Sequence, residues 1–294
     1  MDSRKKILVT GANGQLGREL RNLEHQNPAY DFIFLSREDL PIHHFELLRQ
    51  YFEITKPDYC INAAAYTAVD RAEQEKELAF QVNAEAVGVL AAVCAKYGCR
   101  LIHVSTDYVF DGQSPLPYKE EDPTNPVNTY GASKLKGEAL CLLYNADSII
   151  IRTAWVYSEY GNNFVKTMIR LMKERDSIGV VNDQIGAPTY AADLAAVIMQ
   201  IVSKESWQAG IYHFSNQGRI SWYDFALAIK EYTGSNCQVN AIASSAYPTP
   251  AKRPSFSLLE TEKIQKTFSI NIADWKSALL RCLKQLGYSP AELK

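Results

Sequence analysis

Two short segments of this chain carry the residue types that move protons: Ser105-Thr106-Asp107-Tyr108 and Tyr130-Gly131-Ala132-Ser133-Lys134. The first follows an apolar run, Leu101-Ile102-His103-Val104, and so ends a predicted strand; the second opens a predicted helix. Positions i and i+4 of a helix share a face, which sets Tyr130 beside Lys134. An ammonium next to a phenol favours the phenolate and lowers its pKa from the unperturbed value of about 10. The expected product is an acid and base usable near neutral pH, with the Thr106 hydroxyl offered from the neighbouring strand end. That equipment suits proton transfer at an alcohol or carbonyl oxygen. The spacing alone is common, and an exposed helix face is its ordinary meaning. Its weight comes from the N-terminus.

There Lys6-Ile7-Leu8-Val9-Thr10 reads as a buried strand that runs into Gly11-Ala12-Asn13-Gly14-Gln15-Leu16-Gly17 and then a helix. Glycines at this spacing allow a tight turn, close backbone approach to a phosphate and close helix–sheet packing. The helix start then faces a pyrophosphate with unpaired N–H groups. Strand, glycines and helix stand in the order a dinucleotide site requires.

The elements that must hold these residues alternate. Strands are predicted at Phe32 to Leu35, Tyr59 to Asn62, Leu101 to Ser105 and Ser148 to Thr153. Between them run an amphipathic stretch from His44 to Thr55, a long helical pattern from Ala72 to Gly98 broken near Asn83, and a helix from Tyr130 to Tyr144. This alternation predicts an α/β fold with a doubly wound, Rossmann-like parallel sheet. Ligands bind beyond the carboxyl ends of such strands, where the glycine loop, Asn62, Thr106 and Arg152 fall. Later come helical patterns at Asn163 to Glu174, Tyr190 to Val202 and Ser221 to Tyr232, the last with a serine N-cap. Short strands are predicted at Gly179 to Val181 and Gly210 to Phe214, and a loop at Ser244 to Pro254.

The glycine loop, Asn62-Ala63-Ala64-Ala65, Ser105-Thr106-Asp107 and Tyr130-x-x-x-Lys134 together resemble the extended short-chain dehydrogenase/reductase superfamily. Within it, five longer segments resemble the dTDP-4-dehydrorhamnose reductase family: 63–70, 105–112, Arg152-Thr153-Ala154-Trp155-Val156-Tyr157, 182–189 and 247–254. The resemblance implies reduction of the C4 ketone of dTDP-4-dehydro-6-deoxy-L-mannose to dTDP-L-rhamnose with NADPH, or NADH, as hydride donor. Tyr130 is then the acid, Thr106 holds the substrate oxygen, and Lys134 also holds the nicotinamide ribose. Cofactor contacts are expected from Gly11, Asn13, Gly14, Gln15, Leu16, Gly17, Arg37, Ala63, Ala64, Ala65, Tyr130 and Lys134. Substrate contacts are expected from Thr106, Asp107, Tyr108, Trp155, Asn163 and Arg253. Asp107 could bind a sugar hydroxyl or cap the following turn. Trp155 offers a ring for stacking, and the Arg253 fork suits a diphosphate. Residues 1–153 would form the dinucleotide domain, with segments returning from about 179–202, and residues 154–294 mainly a smaller substrate domain.

The departures from the family pattern are specific. Dehydratases of the superfamily carry an Asp-Glu pair after the threonine; Tyr108 replaces that Glu, so water elimination lacks its residue. Pro41 stands where the family's adenine-side Asp usually is. No acidic residue ends the second strand, and Ser36 and Arg37 could accept a 2′-phosphate. Gln15 and Ala192 replace glutamates that help some relatives hold a metal between subunits, so no metal and no metal-bridged dimer is expected; the chain would be a monomer or homodimer. Rival readings are a reductase or epimerase of another nucleotide-sugar, and a non-catalytic regulator like the regulatory subunit of methionine adenosyltransferase. Retention of Thr106, Tyr130 and Lys134 speaks against the regulator.

The whole chain agrees. It has 294 residues, 47% hydrophobic and 22% charged, with a net charge of −2, which gives no electrostatic case for nucleic acid. Its six cysteines form no Cys-x-x-Cys pair and read as buried thiols. His43 and His44 lack metal spacing and read as surface or loop residues. No signal-peptide pattern and no apolar run near the ~20 residues of a membrane span is seen, so a cytoplasmic protein is expected.

Overall fold

The computed structural model describes residues 4–204 and 206–289. Six parallel strands form the central sheet, in the spatial order Gly210–Phe214, Ile149–Thr153, Arg100–Thr106, Tyr59–Asn62, Lys5–Thr10 and Tyr30–Leu35. Side chains alternate across a strand, and both faces are covered, which is why these strands read as continuous apolar runs. Ile7, Val9, Ile149 and Ile151 pack with the helix Ala191–Ser203. Leu8, Cys60, Leu101 and Ile150 pack on the other face against Leu48, Phe52, Val87 and Leu90.

The strand order reverses at Lys5–Thr10, whose neighbours on its two sides are Tyr30–Leu35 and Tyr59–Asn62. That reversal opens a crevice at the carboxyl ends. The register levels those ends: Thr10 lies opposite Asn62 and Leu35, and Thr106 opposite Thr153.

A second body forms around Tyr157, Val165, Phe225, Ile229 and Leu279. Its helices are Phe164–Glu174, Trp222–Thr233 and Trp275–Gln285. The Trp222 helix begins with the expected Ser221 cap, in a capping box with Asp224. Of the expected returning segment, residues 179–202, the helix from Ala191 packs against the dinucleotide body, but the strand that opens it does not. The strand Ser177–Val181 pairs with Gln238–Ile242 outside the central sheet. Its burial alternates, so it suits a ribbon with one wet face, not a strand buried on both. The returning segments are Ala191–Ser203, packed on the helix Gln15–Asn22, the edge strand Gly210–Phe214, and Glu262–Phe268 against that strand.

A second correction concerns apolar length. Lys76–Tyr97 is continuous helix, long and apolar enough to span a membrane by composition. Here it serves the core: Val87, Leu90, Ala91 and Cys94 are fully buried, and the segment packs between Phe45–Thr55 and Thr129–Tyr144. The expected break near Asn83 is a π-helical turn, Gln81–Glu85. All six cysteines are buried and unpaired.

Candidate active site

The glycine loop has the shape its sequence demands. Gly11 adopts φ 69°, and a Cβ there would lie 2.7 Å from the Ala63 carbonyl carbon and the Ala64 nitrogen. A Cβ on Gly17 would lie 2.4 Å from the Gly11 oxygen, so helix and loop touch backbone to backbone. Gly14 caps the helix Gln15–Asn22 with no side-chain bond, which leaves its first N–H groups open to an anion. Ala63, Ala64 and Ala65 follow the adjacent strand end and wall the crevice. Arg37 lies just past Tyr30–Leu35 and is exposed. Beside it, Asp39 folds back to accept the Ser36 N–H at 2.8 Å. Its carboxylate is therefore occupied locally. His43 and His44 lie in the loop before Phe45–Thr55, ring centroids 4.5 Å apart.

The helix Thr129–Tyr144 carries Tyr130, Lys134 and Glu138 at successive i+4 positions. Asn128 caps it, accepting the Gly131 N–H at 2.8 Å. Lys134 is buried and donates to the Val104 carbonyl at 2.6 Å. Burial lowers its pKa to about 8, against the opposing pull of Glu138.

The expected depression of the Tyr130 pKa is not found. Burial pushes the phenol up to about 12, with a Thr106 hydrogen bond pulling the other way. Burial is the larger effect on the phenol, and the Lys134 ammonium donates to the Val104 carbonyl. A protonated phenol at neutral pH is the form a reduction needs, because its task is to give up a proton.

Thr106 caps the turn after its strand, accepting the Tyr108 N–H at 3.2 Å, and donates to Asp107 at 3.0 Å. Capping therefore falls to Thr106, not Asp107. Burial raises the Asp107 carboxyl to about 6, against the opposing pull of the nearby Ser257 and Thr106 hydroxyls. Its Oδ2 is buried without a partner. Tyr108 meets the Tyr130 ring edge-on at 5.8 Å.

Three residues reached the site by unforeseen routes. Trp155 holds φ 49°, strained for a bulky side chain, and its indole stacks on Trp222 at 3.6 Å with 13° between planes. Arg253 pairs with Asp70 through two bonds, at 2.7 and 2.9 Å. Asn163 caps the helix Phe164–Glu174, and its amide donates to Gln15 at 2.9 Å and to the Ser158 carbonyl at 2.6 Å. One bond thus joins the second body to the glycine loop, and the others close the loop that carries Asn163.

Underneath lies a polar layer of which the sequence showed Asn62, Asn83 and Arg152 by position but not their bonds, and His103 and Glu138 not at all. Thr10 donates to Asn62 at 2.7 Å, and the Asn62 amide donates to His103 Nδ1 at 3.0 Å. His103 is held neutral, its pKa lowered by burial and by Lys134. Asn83, in the π turn, bonds the Tyr66 backbone at 2.8 and 3.0 Å and receives no competition from water. It also donates to Ser133 on the helix Thr129–Tyr144 at 3.0 Å. Glu138 and Arg152 form a buried ion pair at 2.8 Å, with Ser105 donating to Glu138 at 2.5 Å. Glu138 is a polar residue inside an apolar helical pattern, which is the signal that could have flagged it.

The family model described as RmlD substrate binding domain matches residues 5–288. This chain is a member of the dTDP-4-dehydrorhamnose reductase family. It is 46% identical to the dTDP-4-dehydrorhamnose reductase of Aggregatibacter actinomycetemcomitans over 93% of this chain and 97% of that one. It is 44% identical to the Escherichia coli K12 reductase over 95% and 97%. A Bacillus anthracis dTDP-4-dehydrorhamnose reductase solved in complex with NADP superposes with a TM-score of 0.92 at 37% identity, covering 96% of this chain and 100% of that one. A dTDP-glucose 4,6-dehydratase from Streptomyces venezuelae, 19% identical with a TM-score of 0.81, shares the fold.

Proposed function

We infer that this member of the reductase family reduces the C4 ketone of dTDP-4-dehydro-6-deoxy-L-mannose, giving dTDP-L-rhamnose. The observation that carries the reading is the convergence of Thr106, Tyr130 and Lys134 at the strand ends, level with an open glycine-loop helix start. A dinucleotide fits that loop: its glycines let strand, loop and helix approach backbone to backbone, and the helix N–H groups have no side-chain cap. NADPH, when bound, supplies the hydride to C4.

The protein's own part is positioning and proton supply. Tyr130 gives its proton to the oxygen as the C4 carbonyl becomes an alcohol. Thr106 holds that oxygen in place. Lys134, anchored on Val104, has further N–H donors for a ribose hydroxyl. Asp107 Oδ2 is an acceptor awaiting a hydroxyl, which suits a sugar. Trp155 and Tyr108 supply apolar walls. The reading is tested by whether dTDP-4-dehydrorhamnose is turned over at the expense of NADPH.

Gln15 is spent on Val156 and Asn163, and Ala192 has no ligand atom, so subunit association would not run through a metal there. Six unpaired thiols suit a reducing cytoplasm.

Cofactor choice gives one expected outcome. Arg37 is exposed and Asp39 is turned onto Ser36, so the strand end offers a cation to a 2′-phosphate. Arg37→Ala will weaken NADPH more than NADH, by roughly tenfold for one charge-assisted bond. Equal weakening in fluorescence titrations of both nucleotides would remove Arg37 from that role. The far end gives another. Arg253→Ala will raise the KM for the nucleotide-sugar more than tenfold, at about 1.5–3 kcal/mol for a charged hydrogen bond, and leave NADPH binding unchanged. An unchanged KM would place the diphosphate elsewhere.

A further inference from the structure

Arg253 has five N–H donors in a rigid plane. Asp70 takes two of them end-on: Oδ1 from Nη1 at 2.7 Å and Oδ2 from Nη2 at 2.9 Å. The Ala251 carbonyl takes the other Nη1 hydrogen at 2.7 Å. Among the described residues nothing takes the remaining two, on Nε and Nη2. In a guanidinium these lie parallel along one edge, which is a fork matched to two oxygens of a phosphate or carboxylate.

Asp70 fixes that edge in two ways. It holds the guanidinium plane, and its Oδ1 also accepts the Ala251 N–H at 3.1 Å, which holds the loop that carries Arg253. The loop is tied again by Asn128, the cap of the catalytic helix, which donates to the Lys252 carbonyl at 2.8 Å. Just beyond, Pro254 lies against Gly112, whose Cβ would come within 2.5 Å of it. The arginine is therefore held from both sides by contacts that also touch the catalytic helix and the turn after Thr106. Tyr108, edge-on to Tyr130, lies in the electrostatic reach of both Arg253 and Asp70.

We propose that Asp70 is a positioning residue that presents the free Nε/Nη2 edge of Arg253 to the diphosphate of the nucleotide-sugar. This rests on the assignment of Arg253 above. A paired Asp70 cancels much of the arginine's net charge, so the pair recognises its anion by the direction of two donors more than by long-range attraction. A flexible arginine would accept many anions in many poses; a clamped one holds a diphosphate at a fixed distance from the reacting carbonyl. Remote binding held in this way can serve orientation at the reacting centre as well as affinity.

The test is a double-mutant cycle on the full chain: Asp70→Ala, Arg253→Ala and the pair, with KM and kcat for the nucleotide-sugar, and calorimetric titration with dTDP in the absence of NADPH. Asp70→Asn, which keeps an acceptor for Nη1 and the Ala251 N–H, is the milder variant. The expected result is a rise in KM and in the dTDP dissociation constant of roughly tenfold for Asp70→Ala, smaller for Asp70→Asn, with NADPH affinity unchanged. In the Arg253→Ala background the Asp70→Ala change should add almost nothing, since its effect passes through the arginine. Additive losses, or tighter dTDP binding in Asp70→Ala, would overturn the proposal. If Arg253→Ala itself leaves dTDP and sugar binding intact, the assignment of Arg253 fails first, and that outcome is read separately.

Discussion

Tyr130→Phe will lower kcat by ~10²–10⁴-fold, the usual cost of losing a positioned general acid. The ring remains, so the edge-on contact with Tyr108 at 5.8 Å and the packing of the helix start should persist. NADPH affinity should change little, because Lys134 is held by Val104 independently of the phenol. The pH profile is the sharper readout. With the phenol pushed up to about 12, the acid stays protonated across the neutral range in the ligand-free enzyme. The wild-type rate should therefore not collapse between pH 6 and 8 through loss of this proton, on the order of four units below the titration. Stopped-flow turnover of the variant at saturating substrate checks the prediction. A kcat within a few-fold of wild type would reassign the proton donor.

Glu138→Ala will have the largest effect on stability. Its carboxylate accepts from Arg152 at 2.8–3.2 Å through three contacts and from Ser105 at 2.5 Å, and both partners of the ion pair are 3% exposed. Removing one partner strands the other charge without water, a loss of about 3–5 kcal/mol. The Glu120 carbonyl and His213, each at 3.4 Å from Arg152, are too distant to replace a carboxylate. That loss is a large part of the ~5–15 kcal/mol that holds a typical domain together. Lys134 feels it as well, since Glu138 opposes the burial that lowers its pKa. Equilibrium urea unfolding should show the drop in midpoint. Arg152→Met added to Glu138→Met should recover much of it, because replacing a buried pair by apolar groups is often neutral. A single variant that loses under 1 kcal/mol would mean that water or another group reaches Arg152.

The sheet was legible because parallel strands buried on both faces leave unbroken apolar runs, as in Ile7-Leu8-Val9 and Ile149-Ile150-Ile151. The glycine loop and the Tyr130/Lys134 face were legible because each rests on local spacing. What spacing cannot give is the direction a long side chain takes. Lys134 shares a face with Tyr130 yet reaches Val104, and Arg253, read as free for a diphosphate, has one edge taken by a carboxylate 183 positions away. Asn163, read as a ligand contact, also caps a helix, because an N-cap and a polar binding residue call for the same residue type. Which later strand returns was hidden for a similar reason: Ser177–Val181 and Gly210–Phe214 are both short strands, and only tertiary pairing tells which joins the main sheet.

The most direct test of the central claim is to incubate the purified protein with dTDP-4-dehydro-6-deoxy-L-mannose and NADPH, following nicotinamide absorbance and the sugar product by NMR. One mole of NADPH oxidised per mole of dTDP-L-rhamnose formed, with the rate lowered ~10²–10⁴-fold in Tyr130→Phe, is the predicted result. Binding of the nucleotide-sugar with no NADPH oxidation, or oxidation that yields a C4 epimer of rhamnose, would contradict it.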